Sequence, residues 1–568
     1  MANLSIDAEK KMTYDAIVIG SGISGGWAAK ELSEKGLKTL VLERGRDVQH
    51  IKDYPTATKY PWELEHRGRP SLEVQQEFAS RKGRVDEASM HFFVKDAEQP
   101  IVQEKPFTWT RGYQVGGKSL TWARQTQRWS DFDFEGPARD GFAVDWPIRY
   151  ADLAPWYSYV EKFAGISGNR DGLPQLPDGE FLPATELSCI ETHLQSTIAR
   201  KYQDRQLIQG RCAHITEPQP IHLQQGRAKC QHRTLCNRGC PFGGYFSSNA
   251  STLPWAARTG NMTLRPHSVV HSIIYDEAKG KATGVRVVDA NTKEMLEFYA
   301  SVIFVNGSAL NSNLILLNSI SDRFPNGLGN DNGLLGKYIS WHNYRGKISA
   351  SYEGLQDVTI DGRTPNNSYI PRFRNLYKQE TDFLRGYATG LGGGRGPARS
   401  HEGIGASLKE NLLNKELGNW HISAWMQGEV IPRESNHVRL HTTEKDPYGI
   451  PQLVTSCEWT ENDDKMVKDY LEQLTEMFTL AGFTNINAVD THSAPGADIH
   501  EMGGVRMGKD PKTALLNKWN QLHACENVFV TDGACMTSTS TQNPSLTYMA
   551  LTARAADYAV QELKKGNL

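Results

Sequence analysis

The chain has 568 residues, of which 63 are basic and 65 acidic, for a formal net charge of −2. That length allows two or more domains around a large core, and the charge balance argues against a protein built to hold nucleic acid or another polyanion. No apolar run approaches the roughly 18 residues that span a bilayer, and the polar N-terminus, MANLSIDAEKKMTYD, lacks the apolar core of a secretory signal. Eight cysteines are few for this length and unevenly placed.

The first informative stretch is Tyr14–Arg46, YDAIVIGSGISGGWAAKELSEKGLKTLVLERGR. Ala16–Ile19 is a short apolar run suited to a strand buried on both faces. Gly20, Gly22 and Gly25 follow as G-x-G-x-x-G; Gly26–Lys35 reads as a helix with Ala28, Ala29 and Leu32 toward the sheet; and Lys38–Leu42 is a second strand ending at Glu43. This spacing predicts a βαβ unit that holds a dinucleotide. Gly20 makes the turn, Gly22 lets backbone approach a pyrophosphate at the helix N-terminus, and Gly25 permits close helix–strand packing. Glu43, 23 residues after Gly20, is placed to accept from a ribose 2′-OH. The motif does not separate FAD from NAD.

Asp47–Thr108 is polar and broken by Pro55, Pro61, Pro70 and Pro106, an excursion over the surface that reads as a lid or an oligomer contact, with no expected chemistry. Thr110–Arg124, TRGYQVGGKSLTWAR, supplies Gly112, Gly116 and Gly117, a permissive backbone where a second pass of chain can meet a flat cofactor. A plain glycine turn before a helix has the same pattern. At this distance from the fingerprint, the stretch resembles the flavin-contacting loop of the glucose–methanol–choline oxidoreductases. It is most similar to their sugar-oxidising branch: gluconate, glucose and glucoside dehydrogenases, and pyranose oxidases. The resemblance implies FAD, with Arg44, Gly116, Gly117 and Ser119 among its contacts. Some pyranose oxidases carry a histidine just before the tryptophan that bonds covalently to the flavin; here Thr121 precedes Trp122, so non-covalent FAD is expected.

Trp146–Ile166 reads as an amphipathic helix with Leu153, Trp156, Val160 and Phe163 inward, and Pro174–Glu217 as loop-rich. Lys229–Ser248, KCQHRTLCNRGCPFGGYFSS, is unusual, because Cys230, Cys236 and Cys240 fall within eleven residues and the last precedes proline. Three thiolates can hold an iron–sulfur cluster, expected to be of the three-iron, four-sulfur type, with a four-iron cluster that has one labile corner as the alternative. His232 among them makes a Cys3His zinc site a rival, and a loop packed by thiols is the third reading. The cluster is also what the resemblance to cytochrome-reducing members implies.

Asn261–Leu296 alternates strands and turns, and Ala300–Leu317 is a buried strand, a glycine turn and a helix. By resemblance, Val270 meets the adenine and Gly307 lies near the cofactor. Leu335 to about Asp490 is expected to be the substrate domain. There HISAWMQGEV and HVRLHT read as antiparallel strands, Asp464–Leu480 as a helix with a stripe of Met466, Val467, Tyr470, Leu471, Leu474 and Phe478, and Gly390–Gly403 as a mobile loop, either lid or connector.

The last stretch runs IHEMGGVRMG from Ile499, VFVTDGACM from Val528 and STQNPSLTYMALTARAADY from Ser540. It predicts a strand at Val528–Val530 ending in Asp532-Gly533, then a helix after Pro544 whose N-terminus favours an anionic reduced ring. His500 and Asn543, on either side of that strand, resemble the family's catalytic pair. His500 is expected to act as general base and Asn543 to bond the developing alkoxide. Asp532, Gly533, Asn543 and Pro544 are expected cofactor contacts.

The expected fold is α/β: a Rossmann-type FAD-binding domain (1–334, with the excursion at about 47–108 and the cysteine loop 229–248), an α+β substrate domain on an antiparallel sheet (335–490), and a return to the first domain (491–568). The expected enzyme oxidises a secondary hydroxyl of a sugar or glycoside, favoured at C3 of a glucoside, and passes electrons to a cytochrome c subunit. The resemblance also implies a small export or chaperone subunit, leaving periplasm and cytoplasm as the candidate compartments, with no nucleic acid and no direct membrane insertion. A pyranose oxidase-like enzyme using O2, a glucose C1 or gluconate C2 dehydrogenase, and a non-redox FAD protein are the alternatives.

Overall fold

The computed structural model describes residues 4–81, 84–358, 367–398, 403–414 and 416–568. The apolar run near the N-terminus becomes the strand Thr13–Ile19, buried between the parallel strands Thr39–Leu42 and Met295–Val305. The same eight-stranded sheet continues to Met262–Arg265 on one side and Cys525–Val530 on the other. The hairpin Ser268–Asp276/Lys281–Asp289 joins it through Met295–Val305. On one face Val18, Val302, Phe304 and Phe529 pack with Ala28, Ala29 and Leu32 of the helix Ile23–Glu34 and with Ala555, Ala556 and Ala559 of the final helix, Ser545–Lys564. Strands covered on both sides explain why these segments read as continuous apolar runs.

A second sheet is antiparallel, in the order Ser368–Ile370, Tyr387–Pro397, Leu417–Glu429, Gly346–Tyr352, Thr484–Asp490. The helix Glu461–Leu480 covers one face with Met466, Tyr470, Leu474 and Phe478; Thr460 caps it, exchanging bonds with Asp463. The glycine run expected to be mobile is instead strand from Gly390 to Pro397. Its missing side chains make room for others: a Cβ at Gly390 would stand 2.6 Å from the Trp425 indole, and one at Gly393 2.3 Å from Ile190. Residues 399–402 of that stretch lie outside the described residues.

HVRLHT forms a strand, but in neither of these sheets. His437–Lys445 belongs to a third sheet of five strands with Met502–Gly504, Lys337–Ser340, Pro451–Ser456 and Val102–Gln103. The loop-rich stretch Pro174–Glu217 carries the helix Cys189–Lys201, capped by Ser188 and Glu191. Among the described residues no helix is long and apolar enough to cross a membrane.

Candidate active site

A cavity of about 550 Å³ runs from the glycine fingerprint to the C-terminal segment. Gly20, Ser21, Gly22, Glu43 and Arg44 line one end; His500, Asn543, Trp425 and Gln427 line the other. The glycines divide the labour as their spacing predicts. Gly20 has φ +93°, and a Cβ at Gly25 would sit 1.9 Å from the Gly20 carbonyl oxygen, so helix and strand touch there. At Gly22, where the helix Ile23–Glu34 begins, nothing lies within 4 Å of a Cβ position. The backbone there is bare toward the cavity, at the end of a helix whose free N–H groups favour an anion. The Glu43 carboxylate accepts from the Ser21 N–H (3.1 Å), the Ser21 hydroxyl (2.5 Å) and the Gly45 N–H (2.9 Å). These bonds fix its orientation at the cavity wall, while burial pushes its pKa up.

The second glycine loop meets the first. Gly116 has φ +87° and donates its N–H to the Ser21 hydroxyl (3.0 Å), and a Cβ at Gly117 would stand 3.3 Å from the Gly22 Cα. Gly117, Lys118, Ser119, Thr121 and Trp122 line the cavity, whereas Gly25 and Gly116 lie behind its wall. Val270 lines it beside Ser268, whose N–H bonds the Glu43 carbonyl (2.8 Å). Gly307, Asp532, Gly533 and Pro544 also face it. Arg44 lines the wall with its guanidinium held by Gln99 (2.7 Å) and Asp446 (3.1 Å). Asp532 accepts from the Ser312 hydroxyl (2.6 Å) and the Ala534 N–H (2.9 Å), and burial pushes its carboxyl up to about 6. The buried Tyr548 hydroxyl and Glu501 Oε1, both on residues of the wall, have no hydrogen-bond partner. Bare backbone, a carboxylate at the wall where the motif expects a ribose, and orphaned polar atoms fit a long polar dinucleotide.

At the other end, His500 and Asn543 meet. Asn543 Nδ2 lies 3.1 Å from His500 Nε2, and Asn543 Oδ1 accepts from Gln427 Nε2 (3.2 Å). Burial holds His500 well below the ordinary histidine range, with His342 and the Lys118 ammonium adding to the effect, so its ring is neutral at physiological pH. A third residue completes the group. His342 Nδ1 is 2.9 Å from His500 Nδ1, and its Nε2 is 2.7 Å from the Ser540 carbonyl oxygen. The Asp498 carboxylate lies 3.6 Å from both Nδ1 atoms and accepts the His342 backbone N–H (2.8 Å). Burial holds His342 down at about 4 and pushes Asp498 up to about 7. A neutral imidazole with an amide beside it can take a hydroxyl proton while the amide donates to the resulting oxygen.

The cysteine loop abuts the cavity through Asn237, which accepts from Arg124 Nη1 (3.3 Å); both residues line the wall. Cys230 is buried and Cys236 and Cys240 half-buried. Burial raises the Cys230 and Cys236 pKa values, and the neighbouring thiols act in the same direction. The only set of three ligand-type groups within 4.8 Å of one another, among the described residues, is His342, Asp498 and His500. The three sulfurs are therefore spread wider than the roughly 3.8 Å edge of a tetrahedral zinc–thiolate site. His214 Nε2 also approaches the loop, 3.9 Å from Cys236 Sγ.

Two contributions escape sequence reasoning. His342 stands alone in YISWHNY with no motif around it, 158 residues from His500. The excursion at 47–108, expected to carry no chemistry, supplies Ser80, Arg81, Arg84, Ser89 and Phe93 to the cavity wall. Its polar, proline-broken composition hides a return to the site.

Family models described as GMC oxidoreductase match residues 14–342 and 432–552. The chain is 29% identical to 2-methyl-1,2-propanediol dehydrogenase of Mycolicibacterium austroafricanum, covering 96% of this chain and 94% of that protein. It is 25% identical to the fructose dehydrogenase large subunit of Gluconobacter japonicus, covering 98% of this chain and all of the other. The crystal structure of pyridoxine 4-oxidase from Mesorbium loti superposes with a TM-score of 0.60 at 17% identity, covering 96% of this chain and 98% of that one, a likeness of fold. With both halves of the chain matched and an imidazole–amide pair opening on the same cavity as the glycine fingerprint, the chain belongs to the GMC oxidoreductases, FAD-binding enzymes that act on CH–OH groups.

Proposed function

We propose that the protein binds FAD without a covalent bond and oxidises a secondary hydroxyl of a sugar or glycoside to a ketone, with C3 of a glucoside as the favoured position. The observation that carries this is the cavity itself: His500 and Asn543 share one continuous space with the Gly20–Gly22 turn and Glu43. FAD in that space would supply a two-electron acceptor for the carbinol hydrogen. The chain's own part is acid–base and positional. His500 Nε2 takes the hydroxyl proton, Asn543 Nδ2 donates to the alkoxide oxygen, and Gln427 holds the Asn543 amide by its oxygen. The Trp425 indole at the cavity wall gives the apolar face on which sugar rings are commonly held. Thr121 at the cavity wall, with no histidine in its place, supports the non-covalent bond.

Cys230, Cys236 and Cys240 would hold an iron–sulfur cluster of the three-iron type, which would supply one-electron transfer. Sulfurs spread wider than the edge of a tetrahedral zinc site, beside the cavity wall, support this over zinc. The partner for those electrons would be a cytochrome c subunit, and a small export subunit would carry the complex to the periplasm. The fructose dehydrogenase match, a protein named as a large subunit, supports a multisubunit setting.

Anaerobic mixing with methyl β-D-glucopyranoside, D-fructose, D-gluconate and 2-methyl-1,2-propanediol tests the substrate class. Bleaching by the glucoside with a 3-keto product is expected; bleaching by the diol alone would overturn the sugar assignment. Acid precipitation should release all the flavin to the supernatant. Iron and acid-labile sulfide in anaerobically prepared protein are expected, and zinc or no metal would remove the cluster.

A further inference from the structure

Hydrogen-bond bookkeeping around His500 has a single consistent solution. A carbonyl oxygen only accepts, so His342 Nε2, 2.7 Å from the Ser540 carbonyl, carries a proton. Both rings are neutral at rest, so His342 Nδ1 is then a bare acceptor. Its partner at 2.9 Å, His500 Nδ1, must therefore be the donor, which leaves His500 Nε2 with its lone pair toward the cavity. The other end agrees: Gln427 donates to Asn543 Oδ1, so the Asn543 NH2 faces that lone pair at 3.1 Å. From Ser540 to Gln427 the chain of donors and acceptors runs one way.

The consequence rests on the reading of His500 as the base. We propose that His342 is a positioning residue that locks His500 in its Nδ1–H tautomer and, once His500 Nε2 has taken the hydroxyl proton, receives the His500 Nδ1 proton. The balance is simple. The substrate O–H bond breaks and an Nε2–H bond forms on His500; its Nδ1–H bond breaks and an Nδ1–H bond forms on His342. His500 is left neutral, and the positive charge sits one ring deeper, on an imidazolium whose Nε2–H stays on Ser540. Asp498, 3.6 Å from both Nδ1 atoms, is the counter-charge for either location. Lys118, which faces His500 from the glycine loop, is itself paired with Glu501 at 3.2 Å and repels a cation left on His500. Moving the charge to His342, on which Lys118 does not act, relieves that repulsion while Asp498 stays equally near. His342 shows no exposed side-chain surface, whereas 17% of the His500 side chain is exposed, so the transferred proton ends up behind the reacting ring.

The test compares His342→Phe and His342→Asn in FAD-loaded protein, using the panel substrate that bleaches wild type fastest. His342→Phe keeps the ring volume but offers no acceptor, and should lower the limiting rate of flavin reduction by about 10²-fold with substrate KM and FAD content little changed. His342→Asn offers an amide oxygen to His500 Nδ1–H but no site for the proton. It should recover part of that loss and remain about tenfold below wild type. An independent readout is the magic-angle-spinning 15N spectrum of histidine-labelled protein, with the His500 signal found by difference against His500→Ala. An Nδ1–H tautomer is expected in wild type and His342→Asn, and a tautomer mixture in His342→Phe. A wild-type rate in His342→Phe, or equal loss and equal spectra in the two variants, would overturn the positioning role. A wild-type rate in His342→Asn would overturn the proton transfer. Should His342→Phe fail to load FAD, Asp498→Asn takes its place, with a slower reduction expected and an unchanged rate refuting the counter-charge. If His500→Ala reduces its flavin at the wild-type rate, the base itself has been misassigned, an outcome separate from all of these.

Discussion

Gly22 and Gly25 sit three residues apart in one motif, yet the structure gives them opposite failure modes. A Cβ at Gly22 meets nothing within 4 Å, and the residue already has φ −67°, which alanine adopts freely. Gly22→Ala should therefore fold as wild type. The added methyl stands where the cofactor's pyrophosphate is expected, and overpacking of one methyl costs about 1–3 kcal/mol, which is about 5- to 150-fold in Kd for FAD. A Cβ at Gly25 stands 1.9 Å from the Gly20 carbonyl oxygen, so the helix must withdraw from its strand. A shift of about 1 Å through a close-packed layer of Ala28, Ala29 and Leu32 lowers the stability of the apoprotein itself. The assay is a pair of measurements on bromide-stripped apoprotein: the thermal midpoint, and FAD affinity from quenching of flavin fluorescence. Gly22→Ala should lose affinity at constant midpoint, and Gly25→Ala should lose midpoint first. Wild-type affinity in Gly22→Ala would refute the placement of the pyrophosphate, and equal loss of midpoint in both would refute the distinction.

His500→Ala should slow flavin reduction by about 10²–10⁴-fold at unchanged FAD content, read by anaerobic stopped-flow; a wild-type rate places the base elsewhere. Gly390→Ala pushes a methyl against the Trp425 indole and should raise KM while sparing FAD binding, and an unchanged KM would remove Trp425 from the substrate wall. Ser308 holds φ 82° and ψ 156°, a region suited to glycine, at the cavity wall; Ser308→Gly should gain about 1–3 kcal/mol in denaturant unfolding, and no gain would mean the geometry is unstrained. Burial holds His50, His91, His222 and His342 down at about 4. Unfolded histidines bind protons near 6.5 and these folded ones do not, so the stability they contribute is complete above that pH and lost as pH falls toward 4. The thermal midpoint should drop steeply across that window, and a flat profile would contradict the burial.

The dinucleotide half was legible because its information is local: strand, turn, helix and acid fall within one βαβ unit, and each glycine's role follows from its neighbours in sequence. His500 and Asn543 were legible only through their surrounding motifs. His342 was not, because its role comes from a contact across 158 residues that no periodicity encodes. The glycine run at 390–394 was misread for a related reason. Composition reports flexibility, whereas the strand uses Gly390 and Gly393 as space for Trp425 and Ile190. The helix Cys189–Lys201 had a readable signal, the S-x-x-E of Ser188 and Glu191, obscured by its low overall hydrophobicity.

The excursion after Glu43 is fastened more firmly than its composition promises. Its two ends meet where Arg46 bridges Gln114, Val102–Gln103 pairs with Val454–Thr455 in the third sheet, and Ser80, Arg81, Ser89 and Phe93 close over the cavity. A cofactor lined by such a segment is expected to leave when the segment lifts rather than by sliding out along a groove. Flavin exchange should then be first-order, its half-time set by the local opening of 47–108 and indifferent to the concentration of competing FAD. Turnover of the cofactor becomes a clock for the breathing of a surface segment, wound separately from the chemistry it covers.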